Sequence, residues 1–196
     1  MIVIGLTGSI GMGKSETARM FRRLGCPVFD ADAEVHALSG KGGAAVAAIG
    51  SAFPGEVRDG AVDRLLLGPR VLGDPAALRR LERIIHPLVG LARKRFIAAA
   101  RARRLAMTVH DIPLLYETRG EKRVDAVVVA SAPAMLQTLR VLRRPGMTAE
   151  KLAQIRARQV PDAVKRRRAD FVVATGLGRR HALDAVRLIV RKLRHA

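Results

Sequence analysis

The amino-acid sequence predicts an α/β fold with a five-stranded parallel sheet and helices on both faces of that sheet. Five short apolar runs, rich in β-branched residues, recur at residues 2–6, 27–29, 106–112, 126–130 and 171–174. Helical patterns separate these runs, and strands that alternate with helices form parallel βαβ units. A glycine-rich segment follows the first run directly. Open parallel sheets bind ligands at the carboxyl ends of their strands, so we expect the functional site at that edge.

The glycine-rich segment, residues 8–15, fits the pattern G-x-x-x-x-G-K-[ST] of a phosphate-binding loop. Its glycines let successive backbone N–H groups face one concavity, Lys14 brings a positive charge to the phosphates, and Ser15 offers a hydroxyl to Mg²⁺. The predicted phosphate contacts of ATP are Gly8, Ser9, Ile10, Gly11, Met12, Gly13, Lys14, Ser15 and Glu16. We expect the Met12 side chain to point out of the concavity. A chance glycine-rich turn is the alternative interpretation.

The segment after this motif has a helical pattern, with apolar residues at Ala18, Phe21 and Leu24 and a terminating Gly25. The N-terminal end of such a helix attracts anions. Strand, loop and helix in this order favour a true phosphate loop over a chance turn. They predict the three-layer α/β/α arrangement of the P-loop NTPases.

Carboxylates stand at the ends of two predicted strands. Asp30 and Asp32 follow the second strand, and residues two apart in an extended segment point the same way. One of them could orient an acceptor hydroxyl and accept its proton, but the pair could equally cap the next helix or hold Mg²⁺ through water. Asp111 lies near the end of the third strand, the position of a carboxylate that holds Mg²⁺ or its water.

The chain is predicted to be a single domain, 1–196, with two helical parts added to its core. The core comprises residues 1–34, 105–132 and 169–196, and its last helix covers 179–195. Residues 35–104 form a helical acceptor-binding insertion with no convincing strand. One of its helices begins at Asp74-Pro75 and the next at Pro87, running to about residue 104.

The second added part, residues 133–168, is predicted to be a helical lid. A helix begins at Pro133, Pro145-Gly146 breaks it, and Thr148 caps a further helix from 149 to about 160. The segment is dense in arginine, which suits closure over a triphosphate. An ordinary exposed helical hairpin is the alternative.

Composition limits the other possibilities. The formal net charge is +19, from 36 Lys plus Arg against 17 Asp plus Glu. The basic residues are spread over the polar faces of predicted helices, so solvated surface explains them, and we expect no specific nucleic-acid binding. The single cysteine, Cys26, fits a reducing compartment and a small buried role. We expect no membrane segment and a cytoplasmic location.

Taken together, the motifs resemble the dephospho-CoA kinase family over nearly the whole chain. The phosphate loop alone is common to many families, whereas a D-A-D, an H-P and a P-L-L-x-E segment in this order are far more specific. These segments are Asp30-Ala31-Asp32, His86-Pro87 and Pro113-Leu114-Leu115-Tyr116-Glu117. Further matching positions are Asp59-Gly60, Asp63-Arg64, Gln137, Arg140, Arg144, Gln159 and residues 169–173.

The resemblance implies transfer of the γ-phosphoryl group of ATP to the 3′-hydroxyl of the ribose of dephospho-CoA. Asp32 is then the base, with Lys14 and Arg140 as further catalytic residues. The implied acceptor contacts are Asp32, Arg64, His86, Leu114 and Glu117. Arg144 joins Arg140 in neutralising phosphate charge. Thr175 stands where the family often has an adenine-contacting Asn.

The implied cofactor is Mg²⁺ with ATP as co-substrate, held by Ser15 and, as an open alternative, also by Asp111. The expected partners are ATP and dephospho-CoA, and the chain is expected to be a monomer or a small homo-oligomer. Two other functions stay open on the residues alone. One is a different small-molecule or nucleotide kinase that shares every ATP-side residue. The other is a nucleotide-dependent RNA-binding protein that uses the basic surface.

Overall fold

A computed structural model describes residues 1–194 of the chain, so His195, the last residue of the predicted final helix, lies outside it. The described residues fall into two compact units. The first comprises Met1–Phe29 and residues 100–194, and the second comprises Asp30–Ala99. The strands of the described chain are β1 (Ile2–Thr7), β2 (Val28–Asp30), β3 (Val57–Arg58), β4 (Ala61–Val62), β5 (Met107–Asp111), β6 (Ala126–Ser131) and β7 (Phe171–Ala174).

The helices of the described chain are α1 (Lys14–Arg23), α2 (Ala31–Ser39), α3 (Val46–Ala52), α4 (Arg64–Leu72), α5 (Pro75–Ala102), α6 (Ala134–Leu142), α7 (Ala149–Ala157), α8 (Asp162–Arg168) and α9 (Arg179–Arg194). A short 3₁₀ helix covers Gly120–Arg123. None of the helices between residues 1 and 194 has the length and apolar character of a membrane-spanning segment.

The sheet has five strands in the order β2-β5-β1-β6-β7, which confirms the predicted five-stranded parallel sheet. The central strand β1 pairs in parallel with β5 on one side and with β6 on the other. Every residue of β5 and β6 is buried, as expected of strands covered on both faces. This strand order places the carboxyl ends of β1 and β5 side by side, with Leu6 opposite Asp111.

Two apolar clusters cover the sheet. Val128 of β6 belongs to the cluster that includes Phe21 of α1 and Val186 of α9. Its neighbours Val127 and Val129 belong to a second cluster around Leu115 and Tyr116. Because successive side chains of a strand point to opposite faces, the membership of these three valines shows that both faces of β6 are packed.

The second unit contains a β-hairpin, so the prediction that residues 35–104 hold no strand was wrong. Strands β3 and β4 pair antiparallel through the turn Asp59-Gly60, whose φ angles are 49° and 76°. Asp-Gly is the residue pair that a two-residue hairpin turn with positive φ prefers. Each strand has only two residues, which is too few for alternation of apolar and polar residues to be visible in the sequence.

Pro87 does not begin a new helix, contrary to the prediction. It lies inside α5, which begins after the capping Asp74 as expected and continues to Ala102. A proline within a helix costs about 3 kcal/mol because its ring removes one backbone hydrogen bond and crowds the preceding turn. Here Leu81, Ile85 and Leu88 pack into the same apolar cluster of the second unit from both sides of the proline. That shared burial keeps the two halves in one helix.

Candidate functional site

The predicted phosphate loop connects β1 to α1 in the first unit. Gly11 and Gly13 have φ angles of 74° and 88°, which side-chain-bearing residues rarely adopt. A Cβ atom at Gly13 would lie 2.8 Å from Oγ1 of Thr175, and one at Gly11 would lie 2.6 Å from Cγ2 of Val141. Both backbone conformation and space therefore require glycine at these two positions, and the curled loop follows from them.

Helix α1 presents its N-terminal N–H groups at the end of the loop. Its N-cap residue is Gly13, which has no side chain to accept hydrogen bonds from the first turn, and the first backbone bond runs from the Thr17 N–H to the Gly13 carbonyl. The N–H groups of Lys14, Ser15 and Glu16 precede that bond. Unsatisfied N–H groups and the positive end of the helix dipole make this a site for an anion such as phosphate.

Lys14 forms an ion pair with Asp111 at the carboxyl end of β5. The Asp111 side chain is only 4% exposed and that of Lys14 is 17% exposed, so the pair is largely shielded from solvent. Adjacent strands β1 and β5 bring the two residues together. Asp111 was expected near the end of the third predicted strand, and it is the last residue of β5.

The outer side of the loop is bound by side chains from elsewhere in the first unit. The Thr175 hydroxyl donates to the Met12 carbonyl at 2.7 Å. Arg140 of α6 donates to Thr175 Oγ1 at 3.1 Å and to its carbonyl at 2.9 Å, and makes a longer contact of 3.4 Å with the Gly11 carbonyl. The Met12 side chain is buried, and its sulfur accepts from the Ala132 N–H at 3.2 Å. Thr175 and Arg140 therefore contact the loop itself.

Three residues outside the predicted site also contact or support this loop. Gln137 and Gln159 bind the backbone of Ile10, and Arg156 binds Gln137. Gln137 and Gln159 were visible only as positions matching the family pattern. Arg156 carried no signal, since it is one arginine of a long basic segment.

In the second unit, Asp30 at the end of β2 and Asp32 at the start of α2 have different environments. Asp30 is the N-cap of α2 and accepts from the Ala33 N–H at 3.0 Å, so the capping alternative applies to Asp30. Asp32 lies in the first turn of α2 and is exposed. Its side chain lines a cavity of about 400 Å³ together with Arg64.

That cavity has mainly apolar walls, which include Val35, Ile49, Leu67 and Ile85. Ligand sites typically combine apolar walls with a few polar groups, which here come from Asp32, Arg64 and Ser39. His86 does not line this cavity. It lies on an open groove along α5 with Arg79, Arg80, Glu82 and Arg83 among its neighbours.

Glu117 and Leu114 belong to the first unit. Glu117 accepts from the Val160 N–H at 2.7 Å and pairs at 2.9 Å with Lys165, whose side chain is fully buried. Burial by itself would raise the pKa of Glu117, but the hydrogen bonds from Lys165 and the Val160 amide outweigh it and lower the pKa below the usual range. Leu114 is 43% exposed. An acceptor contact of these two residues stays a prediction.

Among residues 1–194, no three His, Cys, Asp or Glu side chains cluster so as to hold a metal ion. Mg²⁺ in phosphoryl-transfer sites needs only one or two protein oxygens, because substrate phosphates and water supply the rest. The Ser15 hydroxyl and the Asp111 carboxylate beside the phosphate loop are donors of that kind.

A glycine-rich loop between a central parallel strand and a helix N-terminus, with a lysine beside a strand-end aspartate, defines the class of P-loop phosphate-binding proteins. A family model described as dephospho-CoA kinase matches residues 2–177. The chain therefore belongs to the dephospho-CoA kinase family.

Individual relatives agree with this membership. A dephospho-CoA kinase of Paramagnetospirillum magneticum is 61% identical over 85% of this chain and 78% of its own length. One of Mesorhizobium japonicum is 57% identical over 99% of this chain and 98% of its own.

Solved structures show the same fold. A Thermus thermophilus protein superimposes with a TM-score of 0.82 and 32% identity, covering 98% of this chain and 97% of its own. A dephospho-CoA kinase from Campylobacter jejuni superimposes with a TM-score of 0.67 and 19% identity, covering 97% and 96%. At that lower identity the likeness concerns the fold alone.

Proposed function

We propose that this protein transfers the γ-phosphoryl group of ATP to the 3′-hydroxyl of the ribose of dephospho-CoA, giving coenzyme A and ADP. The observation that carries the proposal is the family match over residues 2–177, joined to a phosphate loop with the geometry that nucleotide binding requires. The names of the relatives favour this acceptor over that of another small-molecule kinase.

The phosphate loop binds the phosphates of ATP. Lys14 exchanges its partner Asp111 for the β- and γ-phosphates, and the N–H groups at the start of α1 donate to phosphate oxygens. The transition state of phosphoryl transfer spreads negative charge over the equatorial oxygens, where Lys14 stabilises it. Arg140 lies against the loop, and Arg144, just beyond the C-terminal end of α6, adds positive charge.

Mg²⁺ fits the donors that the site offers. Ser15 and Asp111 would hold it through a hydroxyl and a carboxylate oxygen, which are ligands that this hard cation prefers. When bound, the ion neutralises charge on the phosphates. The residues of the chain bind and orient the nucleotide around it.

Asp32 accepts the proton of the acceptor hydroxyl. Its carboxylate is exposed and lines the apolar cavity of the second unit, whereas Asp30 is engaged as a helix cap. Arg64 lines the same cavity and supplies a positive charge suited to an acceptor phosphate. We propose that this cavity receives part of dephospho-CoA, with residues 35–104 as the acceptor-binding insertion, 133–168 as the lid, and His86 as a further contact.

The proposal is tested with an assay of ADP release that compares dephospho-CoA with adenosine, AMP and no acceptor. Among these acceptors, we expect only dephospho-CoA to cause ADP release, with coenzyme A as the other product. Asp32→Asn should lower turnover by about 10²-fold or more while ATP still binds, because the proton of the hydroxyl loses its acceptor. Glu34→Gln, which removes one charge from the same helix outside the cavity, is the control.

Two results would contradict the proposal. Folded, ATP-binding protein that releases no ADP with dephospho-CoA would exclude this acceptor. Near-normal turnover of Asp32→Asn would exclude Asp32 as the base.

A further inference from the structure

The peptide backbone of Ile10, inside the phosphate loop, is held by two glutamine side chains. Its N–H donates to Oε1 of Gln159 at 3.2 Å, and its carbonyl accepts from Nε2 of Gln137 at 2.8 Å. Gln137 lies in α6 and is only 4% exposed, while Gln159 follows α7. Two elements distant in sequence thus converge on one residue of the loop.

Arg156 of α7 determines which way the Gln137 amide faces. Its Nε and one terminal nitrogen donate to Oε1 of Gln137 at 3.0 and 2.6 Å, and that same nitrogen donates to Thr138 Oγ1 at 2.9 Å. A guanidinium group has donors only, so the amide oxygen must face it. The NH₂ group of Gln137 is thereby directed at the Ile10 carbonyl.

These contacts orient peptide groups that the phosphates need. In a planar trans peptide the C=O and the following N–H point in opposite directions. Because the Ile10 carbonyl faces Gln137, the N–H of Gly11 in the same peptide group points away from Gln137. In the next such peptide group, the Met12 carbonyl faces Thr175, so the Gly13 N–H points away from Thr175. Side chains on the outer side of the loop therefore set where its N–H groups point.

We propose that Gln137, oriented by Arg156, and Gln159 are positioning residues that preorganise the phosphate loop for nucleotide binding. Glycine-rich backbone is free to adopt many conformations, and a loop that is not held beforehand must be ordered at the expense of binding affinity. This inference rests on the nucleotide binding that the proposed function requires. It concerns the phosphates alone, so binding of ADP tests it without any phosphoryl transfer.

The first test compares Arg156→Met with Arg158→Met by calorimetric titration with ADP. Both variants remove one arginine from an exposed position, but only Arg156 contacts Gln137. We expect Arg156→Met to raise the Kd of ADP by roughly 10-fold, the scale of a backbone carbonyl that loses its hydrogen bond. Arg158→Met should stay within about 2-fold, and Arg156→Lys, which keeps a donor, should lie between.

The second test is Gln137→Glu. This change preserves side-chain size and the contact with Arg156, but it replaces the donor that faces Ile10 with an acceptor oxygen. We expect the Kd of ADP to rise at least as much as in Arg156→Met. The double variant Gln137→Met/Arg156→Met should bind ADP only slightly more weakly than Gln137→Met does, because Arg156 acts through Gln137.

All titrations are made well below the melting temperature of each variant. An unchanged Kd of ADP in both Arg156→Met and Gln137→Glu would overturn the inference, and so would a lower melting temperature with an unchanged Kd, which is the result of a purely structural role. Wild-type protein that fails to bind ADP would instead contradict the proposed function itself. The two failures are therefore distinguishable.

Discussion

Removing the charge of Glu117 should destabilise the first unit strongly. Lys165 is fully buried and its ammonium group lies 2.9 Å from the Glu117 carboxylate, whose side chain is 14% exposed. Glu117→Gln removes this counter-ion and leaves a buried charge, a change that costs about 3 kcal/mol at the lower end of measured cases. For a protein of this size, each kcal/mol lowers the melting temperature by about 2–4 °C, so we expect a loss of roughly 6–12 °C.

The double variant Glu117→Gln/Lys165→Met is the matched control. It removes both charges, keeps an amide oxygen for the Val160 N–H and replaces lysine with an apolar side chain of similar length. Thermal unfolding followed by circular dichroism should show most of the lost stability restored. If Glu117→Gln lowers the melting temperature by less than about 2 °C, or if the double variant is less stable still, the ion pair does not stabilise this unit as argued.

The pH dependence gives a second measurement on the same pair. The pKa of Glu117 is lowered by folding, so its stabilising contribution is complete above its ordinary value of 4.5 and is lost as pH falls through the lower folded-state pKa. We expect Glu117→Gln to lose less stability than wild type over that acid range. A rise in the KM for dephospho-CoA in the stable double variant would assign Glu117 to the acceptor as well.

Two further predictions concern the first unit. Lys14→Ala should abolish both ATP binding and turnover, because it removes the cation of the phosphate loop and the ion pair of that cation with Asp111. Tight binding of ATP to this variant, measured by calorimetry, would contradict the assignment of the site. Burial raises the pKa of the Cys26 thiol, with Arg194 opposing the effect, so alkylation by iodoacetamide at pH 8 should be much slower in native than in urea-unfolded protein. Equal rates by mass spectrometry would show that the thiol is accessible.

The five strands of the parallel sheet could be predicted because each strand is visible in the sequence as an apolar run. Fully buried parallel strands require continuous apolar runs, and those of β5 and β6 are visible without knowledge of their neighbours. The hairpin of the second unit was missed because its two-residue strands show no alternation, although Asp59-Gly60 is a recognised turn pair. Pro87 was misread since the local rule for proline ignores the burial that holds α5 together.

Some residues of the site could likewise be predicted from a local sequence pattern, whereas others could not. Residues that act through local backbone geometry, such as Gly13 and Lys14, follow from an eight-residue pattern. Asp30 and Asp32 looked equivalent in sequence, and only the start of α2 showed that Asp30 is a cap. Arg156 could not be predicted, because nothing near it in the sequence distinguishes it from other surface arginines.

The sequence by itself determined the five-stranded parallel sheet, the phosphate loop and membership of a kinase family, since these depend on short motifs and on hydrophobic runs that each segment carries alone. Tertiary structure alone decided which side chains hold the loop in place. Gln137 and Thr175 come from separate parts of the chain and contact the loop only in the folded protein, where Arg156 in turn contacts Gln137. Their roles depend on hydrogen bonds of a few ångströms between distant segments, and no local pattern encodes such distances.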